Sequence, residues 1–212
     1  MKLLKLKILI DHGAVRDCYV HPLNKNLCVK VLKQNHLDPQ HKELLREVRI
    51  YERVKSLLPD QIAEIFPDLV QTDKGDGLIC RLIRDEDENE NLSQKFQYYV
   101  DSLQPPEKIK TSLDRLIKRI IMRDIFFLDF NLGNFVVQSL KDGSKKVWMV
   151  DIKSLNRVGY QGFLHLERIF APLARIIMFR RIRRMYKDMK VKFEFDELCR
   201  KKFFSTIFVT VK

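Results

Sequence analysis

The hydrophobic pattern of this chain changes period once, and an acidic run marks the place. Before the run, residues 3–10, 17–21, 27–32, 65–71 and 78–83 form short apolar stretches separated by turn residues. After it, residues 92–103, 107–125 and 163–177 carry apolar side chains at helical spacing. A strand repeats every two residues and a helix every 3.6, so strands dominate the first half and helices the second. Strands gathered in one half and helices in the other define an α+β architecture. The run itself, Asp85-Glu86-Asp87-Glu88-Asn89-Glu90-Asn91, reads as a solvated loop. The expected organisation is a small antiparallel-sheet lobe over residues 1–84, an acidic hinge over 85–91, and a mainly helical lobe over 92–212.

Exceptions to the period carry information. A single helix is expected in the first half, opened by Asp38-Pro39 and closed at Pro59, with Leu44, Leu45, Val48, Tyr51, Val54 and Leu58 on one face. Pro67 bends the strand at 65–71, and Gly75-Asp76-Gly77 marks a hairpin turn. In the second half residues 135–138 and 146–150 form a hairpin around Lys141-Asp142-Gly143-Ser144. In the last helix, Phe163, Leu166, Phe170, Leu173 and Ile177 form one apolar face.

Composition excludes several classes. With 45% hydrophobic residues and only 7 Gly and 7 Pro, the 212-residue chain is neither disordered nor collagen-like. The longest apolar run, 203–211, is too short to span a bilayer, and Lys5 and Lys7 interrupt any signal-peptide core. Cys18, Cys28, Cys80 and Cys199 form no C-x-x-C pair and read as reduced thiols of a cytoplasmic protein. The five histidines show no metal spacing. The net charge of +12 is concentrated between Arg168 and Lys192, where nine cations meet one anion. That stretch is read as a solvated helix face, as an attachment to an anionic membrane surface, or as a nucleic-acid contact. Nucleic acid is the least favoured, because of the 14 phenylalanines only Phe170 and Phe179 fall within the basic stretch.

Three short signals carry chemistry through their order. Lys30 sits inside an apolar strand and is followed by a helix bearing Glu47. Asp129-Phe130-Asn131-Leu132-Gly133-Asn134 is a turn between helix and strand. Asp151 closes the next strand. Phosphoryl transfer from a nucleotide needs a lysine on the phosphates and a carboxylate that holds it. It also needs a carboxylate to accept the acceptor's proton, and an amide and a carboxylate for Mg²⁺. Lys30, Glu47, Asp129, Asn134 and Asp151 supply that list in the order of protein-kinase signatures.

Four segments stand out together: residues 13–22 with their Cys18-Tyr19-Val20-His21-Pro22 string, Leu27-Cys28-Val29-Lys30-Val31, Gly77-Leu78-Ile79 with Leu82-Ile83-Arg84-Asp85, and Asn131-Leu132-Gly133-Asn134. In these the sequence resembles the YrbL family of bacteria, kinase-fold proteins named for the PhoP regulatory network. The resemblance covers roughly residues 8–185 and implies a bilobal protein-kinase-like fold. The chain departs from protein kinases in several places. Gly13 stands nearly alone where they have three glycines. Phe127-Leu128 precedes Asp129 where they have His-Arg, and Ile152-Lys153 follows Asp151 where they have Phe-Gly.

The expected activity is therefore an ATP- and Mg²⁺-dependent transfer to a non-protein hydroxyl on a small molecule, sugar or lipid-linked glycan. Lys30, Glu47 and Asp129 are the candidate catalytic residues. Gly13, Arg16, Lys30, Arg84 and Asp85 are the candidate nucleotide contacts, and Asn134 and Asp151 the candidate metal ligands. The alternatives are a catalytically silent kinase-fold regulator that binds a nucleotide or partner, and a nucleic-acid-binding module. Location is expected in the cytoplasm, with contact at the inner membrane through the basic stretch.

Overall fold

The structure, a computed structural model, describes residues 3–34, 41–102, 107–125, 127, 130–152 and 166–202, without the side chains of 166–174. The first half forms a five-stranded antiparallel sheet: β1 (Leu9–His12), β2 (Arg16–His21), β3 (Asn24–Leu32), β4 (Ile65–Thr72) and β5 (Gly75–Arg81), in the order β1-β2-β3-β5-β4. The middle strand, β3, is buried from Cys28 to Leu32. Its alternation sorts the two faces. Val29 and Val31 pack with Leu6 in a small cluster, while Cys28 and Leu32 join the main core. Lys30 lies between Cys28 and Leu32 in the alternation, so it faces the main-core side. Gly77 of β5 stands opposite Val31, and a Cβ there would lie 2.4 Å from Val29 Cγ1.

Several boundaries moved for identifiable reasons. The first strand begins at Leu9, while Leu4 bonds to Gln71 and Asp73 alongside β4. That contact buries Leu6 and leaves Lys5 and Lys7 outside. Asp11 and His12 belong to β1, and the turn falls on residues 13–15. The hairpin expected at Gly75-Asp76-Gly77 turns one step earlier, at Asp73-Lys74. Gly75, at φ +108°, already opens β5, and the Thr72 hydroxyl bonds across the turn to its carbonyl at 2.5 Å. Pro67 lies within β4, an edge strand, where the ladder to β5 shifts register between Ile65 and Leu69.

One helix, α1 (Lys42–Val54), crosses the sheet and buries Leu44, Glu47, Val48, Ile50 and Val54. It ends four residues before Leu58; its expected start at Asp38-Pro39 lies outside the described residues.

The second half holds a three-stranded antiparallel sheet, β6 (Gln94–Lys95), β7 (Phe135–Ser139) and β8 (Lys145–Met149), in that order. Where a single helix was expected over 92–103, β6 precedes a short helix, α2 (Phe96–Asp101). Next, α3 (Glu107–Met122) buries Ile109, Leu113, Leu116, Ile117, Ile120 and Ile121, and its Ser112 hydroxyl accepts from the Val147 N–H at 2.9 Å. The last long helix, α4 (Leu166–Asp188), packs through Met178, Phe179, Ile182, Met185 and Tyr186. Ile177, expected on its apolar line, is half-buried; Phe163 and the side chains of Leu166, Phe170 and Leu173 lie outside the described residues.

The two sheets are stitched where Ala63 donates to the Met149 carbonyl and Met149 to that of Gln61, both at 2.9 Å. One apolar cluster runs from Cys28 and Leu44 through α3 to Tyr186. The chain is thus an α+β protein with mainly antiparallel sheets and several helices.

Candidate functional site

Four charged side chains meet where the five-stranded sheet faces the end of β8. Lys30 reaches them from β3, Glu47 from α1, Arg16 from the start of β2, and Asp151 from just beyond β8. Lys30 Nζ donates to Glu47 Oε1 at 2.5 Å and to the Val150 carbonyl at 2.8 Å. Arg16 donates through Nη1 to Glu47 Oε2 and through Nη2 to Asp151 Oδ1, the latter at 2.6 Å. The Glu47 side chain is only 3% exposed, and those of Lys30 and Arg16 are 11% exposed.

Helix geometry selects Glu47 among its neighbours. It lies on the face of Leu44, Val48 and Val54 that packs against the sheet. The rival carboxylates are engaged outside: Glu43 with Arg46 at 3.4 Å and Glu52 with Lys55 at 2.6 Å.

Burial alone would push the ammonium of Lys30 toward its neutral form, as it would any buried cation. The charges of Glu47 and, further off, Asp151 outweigh it and hold the Lys30 pKa above its ordinary value. The same opposition, burial against Glu47 and Asp151, leaves the Arg16 guanidinium more firmly protonated than usual. Both cations are therefore charged at every physiological pH.

Arg16 is aimed into the cluster by a tight turn. Gly13 N–H donates to the Arg16 carbonyl at 2.9 Å, and a Cβ on Gly13 would sit 2.9 Å from that oxygen. A side chain at residue 13 would open the turn, so Gly13 serves the approach of backbone to backbone.

Asn134 ends a single 3₁₀ turn, Leu132–Asn134, which the Asn131 side chain caps by accepting from Gly133 N–H at 3.0 Å. Its carbonyl accepts from Val150 N–H at 3.0 Å, which places Asn134 beside the backbone leading into Asp151. Asn134 is buried at 9% exposure. Asp129 lies outside the described residues.

Arg84 and Asp85 do not join the cluster. Arg84 donates to the carbonyls of Lys25 at 2.8 Å and Glu90 at 2.9 Å. Asp85 accepts from the Ser93 hydroxyl at 2.6 Å, Ser139 N–H at 2.8 Å and the Ser139 hydroxyl at 3.2 Å. Both brace the acidic loop against β3 and β7. An open cavity of about 730 Å³ lies beside them, lined in part by Asp85, Glu86, Asp87, Glu88 and Glu90. These five carboxylates outnumber the cations Arg81, Arg84 and Lys141 that also line it, which disfavours a phosphate there.

The donor set suits a hard cation only in company. Asp151 and Asn134 offer one carboxylate and one amide oxygen, whereas Mg²⁺ takes six oxygens and keeps several as water or phosphate. Among the described residues no group of three or more His, Cys, Asp or Glu could hold a metal unaided. With Lys30 and Arg16 adjacent, the set fits a metal that arrives with phosphate oxygens.

Two partners in the cluster escaped the sequence reading. The Val150 carbonyl is backbone and leaves no trace in residue type. Arg16 was expected at the phosphates, but its double hold on Glu47 and Asp151 was not; its one signal is the two-residue alternation with Cys18 on the same strand.

On α4, Arg180, Arg181, Arg183, Arg184 and Lys187 are exposed, with Arg183 paired to Asp196 at 2.6 Å. Arg175, by contrast, is buried and donates to the Lys202 carbonyl at 2.7 Å. The exposed large apolar residues among those described lie on other elements. No helix of the described residues is long and apolar enough to cross a membrane.

The fold and cluster define an α+β protein with a buried lysine–carboxylate clamp at the junction of two antiparallel sheets. The chain belongs to the family described as PhoP regulatory network protein YrbL, whose profile matches residues 3–194. No curated protein matches the chain.

Proposed function

We propose that the chain is a bilobal kinase-fold phosphotransferase that uses Mg-ATP to phosphorylate a non-protein hydroxyl. The observation that carries this reading is the buried Lys30, clamped by Glu47 and by the Val150 carbonyl beside Asp151. A lysine that stays charged while largely buried supplies a fixed positive charge for phosphate oxygens. In this reading the five-stranded sheet with α1 is one lobe, the remainder the other, and the nucleotide lies between them.

Each residue then has a defined task. Lys30 holds the α- and β-phosphates, and Glu47 fixes the lysine's direction. Asp151 and Asn134 hold Mg²⁺, which when bound neutralises phosphate charge as the transition state forms. Asp129, five residues before Asn134, accepts the proton of the acceptor hydroxyl. The acceptor oxygen bonds to the γ-phosphorus, the bond from that phosphorus to the β–γ bridging oxygen breaks, and its electron pair leaves with ADP.

A second reading, a nucleotide-binding regulator without turnover, has its own support. Arg16 occupies Asp151, Phe127-Leu128 replaces the His-Arg of protein kinases, and the family's description names a regulatory network.

Thermal denaturation with ATP, with and without Mg²⁺, tests both. At 100 times the dissociation constant a ligand stabilises the fold by about 2.7 kcal/mol. For a chain of this size that raises Tm by about 5–11 °C. No shift with either ligand form refutes both readings. A Mg²⁺-dependent shift followed by phosphate transfer across an acceptor panel supports the first, and Asp129→Ala should abolish that transfer while keeping the shift. A shift without turnover in any acceptor selects the regulator.

A further inference from the structure

Arg16 holds one oxygen of Asp151, the carboxylate read above as a metal ligand. Its guanidinium lies between Glu47 and Asp151 and bonds to an oxygen of each. With Lys30 on the other oxygen of Glu47, two cations and two carboxylates balance one another among these described residues. The arrangement is also largely dehydrated, since three of the four side chains are at most 11% exposed.

We propose that Arg16 is a built-in counter-ion that shuts metal out of Asp151 until nucleotide phosphates draw it away. The proposal rests on the reading of Asp151 as a metal ligand and adds an order to it: a divalent ion enters with the nucleotide, never ahead of it.

The argument is one of charge and geometry. A divalent ion added to this balanced group would bring two uncompensated charges to Asp151, a partly buried carboxylate whose side chain is 23% exposed. Burying unpaired charge is the costliest change a protein interior can undergo. The ion would also have to displace a charge-assisted hydrogen bond of 2.6 Å, among the stronger polar contacts available. A nucleotide triphosphate removes both obstacles. Its phosphates offer the planar guanidinium of Arg16 a bidentate acceptor, as a carboxylate does. They also supply the negative charge that a metal at Asp151 then neutralises.

The turn at Gly13 makes such an exchange local. Arg16 is the first residue of β2, next to residues 13–15, which lie outside the strands. A side-chain rotation at this end of β2 moves the guanidinium from carboxylate to phosphate. Lys30 differs, because it sits mid-strand on β3, paired to Cys18 and Leu78 on either side, and has no such freedom.

The test uses Mn²⁺ as the metal probe, followed by electron paramagnetic resonance on the full chain, first without nucleotide. The parent should show no site that depends on Asp151. Arg16→Gln leaves the cluster with one excess negative charge, and it should gain a Mn²⁺ site at least tenfold tighter than any in the parent. The double variant Arg16→Gln/Asp151→Asn should lose that gain. Arg16→Lys, which keeps the charge, should behave as the parent. Circular dichroism of each variant establishes that it is folded.

Equal Mn²⁺ affinity in the parent and in a folded Arg16→Gln overturns the proposal, as does a gain that survives Asp151→Asn. If Arg16→Gln does not fold, Arg16→Met provides the same neutral replacement with a longer apolar stem. ADP and ATP are then added to the parent. Mn²⁺ bound only in their presence completes the ordered scheme. If the parent binds no nucleotide, the phosphotransferase reading fails separately, while the Mn²⁺ comparison still decides the role of Arg16.

Discussion

Replacing Glu47 by Gln should destabilise the protein far more than replacing Lys30 by Met, although both remove the same ion pair, 2.5 Å long. Without Lys30, Glu47 keeps Arg16 and stays paired. What is lost is a charge-assisted hydrogen bond to the carboxylate and one to the Val150 carbonyl. The first is worth about 1.5–3 kcal/mol, and burial of the methionine offsets some of the loss. Without the Glu47 charge, the glutamine carbonyl can accept from one cation while its NH2 faces the other, so among the described residues Lys30 relies on the Val150 carbonyl and Arg16 on Asp151 for full-strength partners. A buried charge left without its partner costs roughly 3–5 kcal/mol. For a chain of this length each kcal/mol lowers Tm by about 2–4 °C, so Glu47→Gln should melt roughly 6–20 °C below the parent.

The double variant Lys30→Met/Glu47→Gln removes the orphaned lysine and should recover some of the loss, giving a non-additive cycle. Urea denaturation followed by fluorescence of the single tryptophan suits the measurement. Trp148 is 3% exposed and bonded through its indole N–H to Gln138 at 2.7 Å. Far-ultraviolet circular dichroism supplies the second probe needed to establish a single transition. Equal losses in the two single variants, or additivity in the double, would refute the reasoning.

Two further outcomes follow from particular contacts. Asp85→Ala removes three hydrogen bonds and leaves the buried Ser93 hydroxyl without its acceptor, so it should cost about 2–4 kcal/mol in denaturant titration. If Asp85 instead serves only a bound nucleotide, stability of the free protein will not change. Tyr186 donates to Asp114 from a buried position; burial first, and then the Asp114 charge, raise its phenol above the ordinary value. A raised pKa means the contribution is fully present below the unfolded-state value of about 10 and is lost as pH climbs toward the folded-state value. Tyr186→Phe should therefore lower stability by about 1–2 kcal/mol at neutral pH and flatten the loss seen in the parent above pH ~10, read from Tm against pH. A parallel fall in both proteins would contradict that assignment.

The change of hydrophobic period around residues 85–91 was legible because side-chain alternation is local: each residue reports its own strand or helix. Lys30 stood out for the same reason, being a charge inside a run that burial otherwise reserves for apolar residues. The hairpin of β7 and β8 was likewise written in its neighbours. Boundaries were less accessible. Whether residues 3–8 form a strand depended on the edge of β4, and the split of the expected helix at 92–103 depended on β7 pairing with Gln94 and Lys95.

The cluster shows the division most clearly. That a helix carboxylate could meet Lys30 followed from order and spacing, but three glutamates of α1 competed for it, and only the docking angle of the helix on the sheet chose Glu47. The contact of Arg16 with Asp151 spans 135 positions, and that of Lys30 with Val150 spans 120. Such pairs are decided by how two sheets and a helix pack, because burial in three dimensions, not separation along the chain, determines which charges must find each other. Local pattern determined the elements and the residue types available; packing decided which of those residues share one water-poor space.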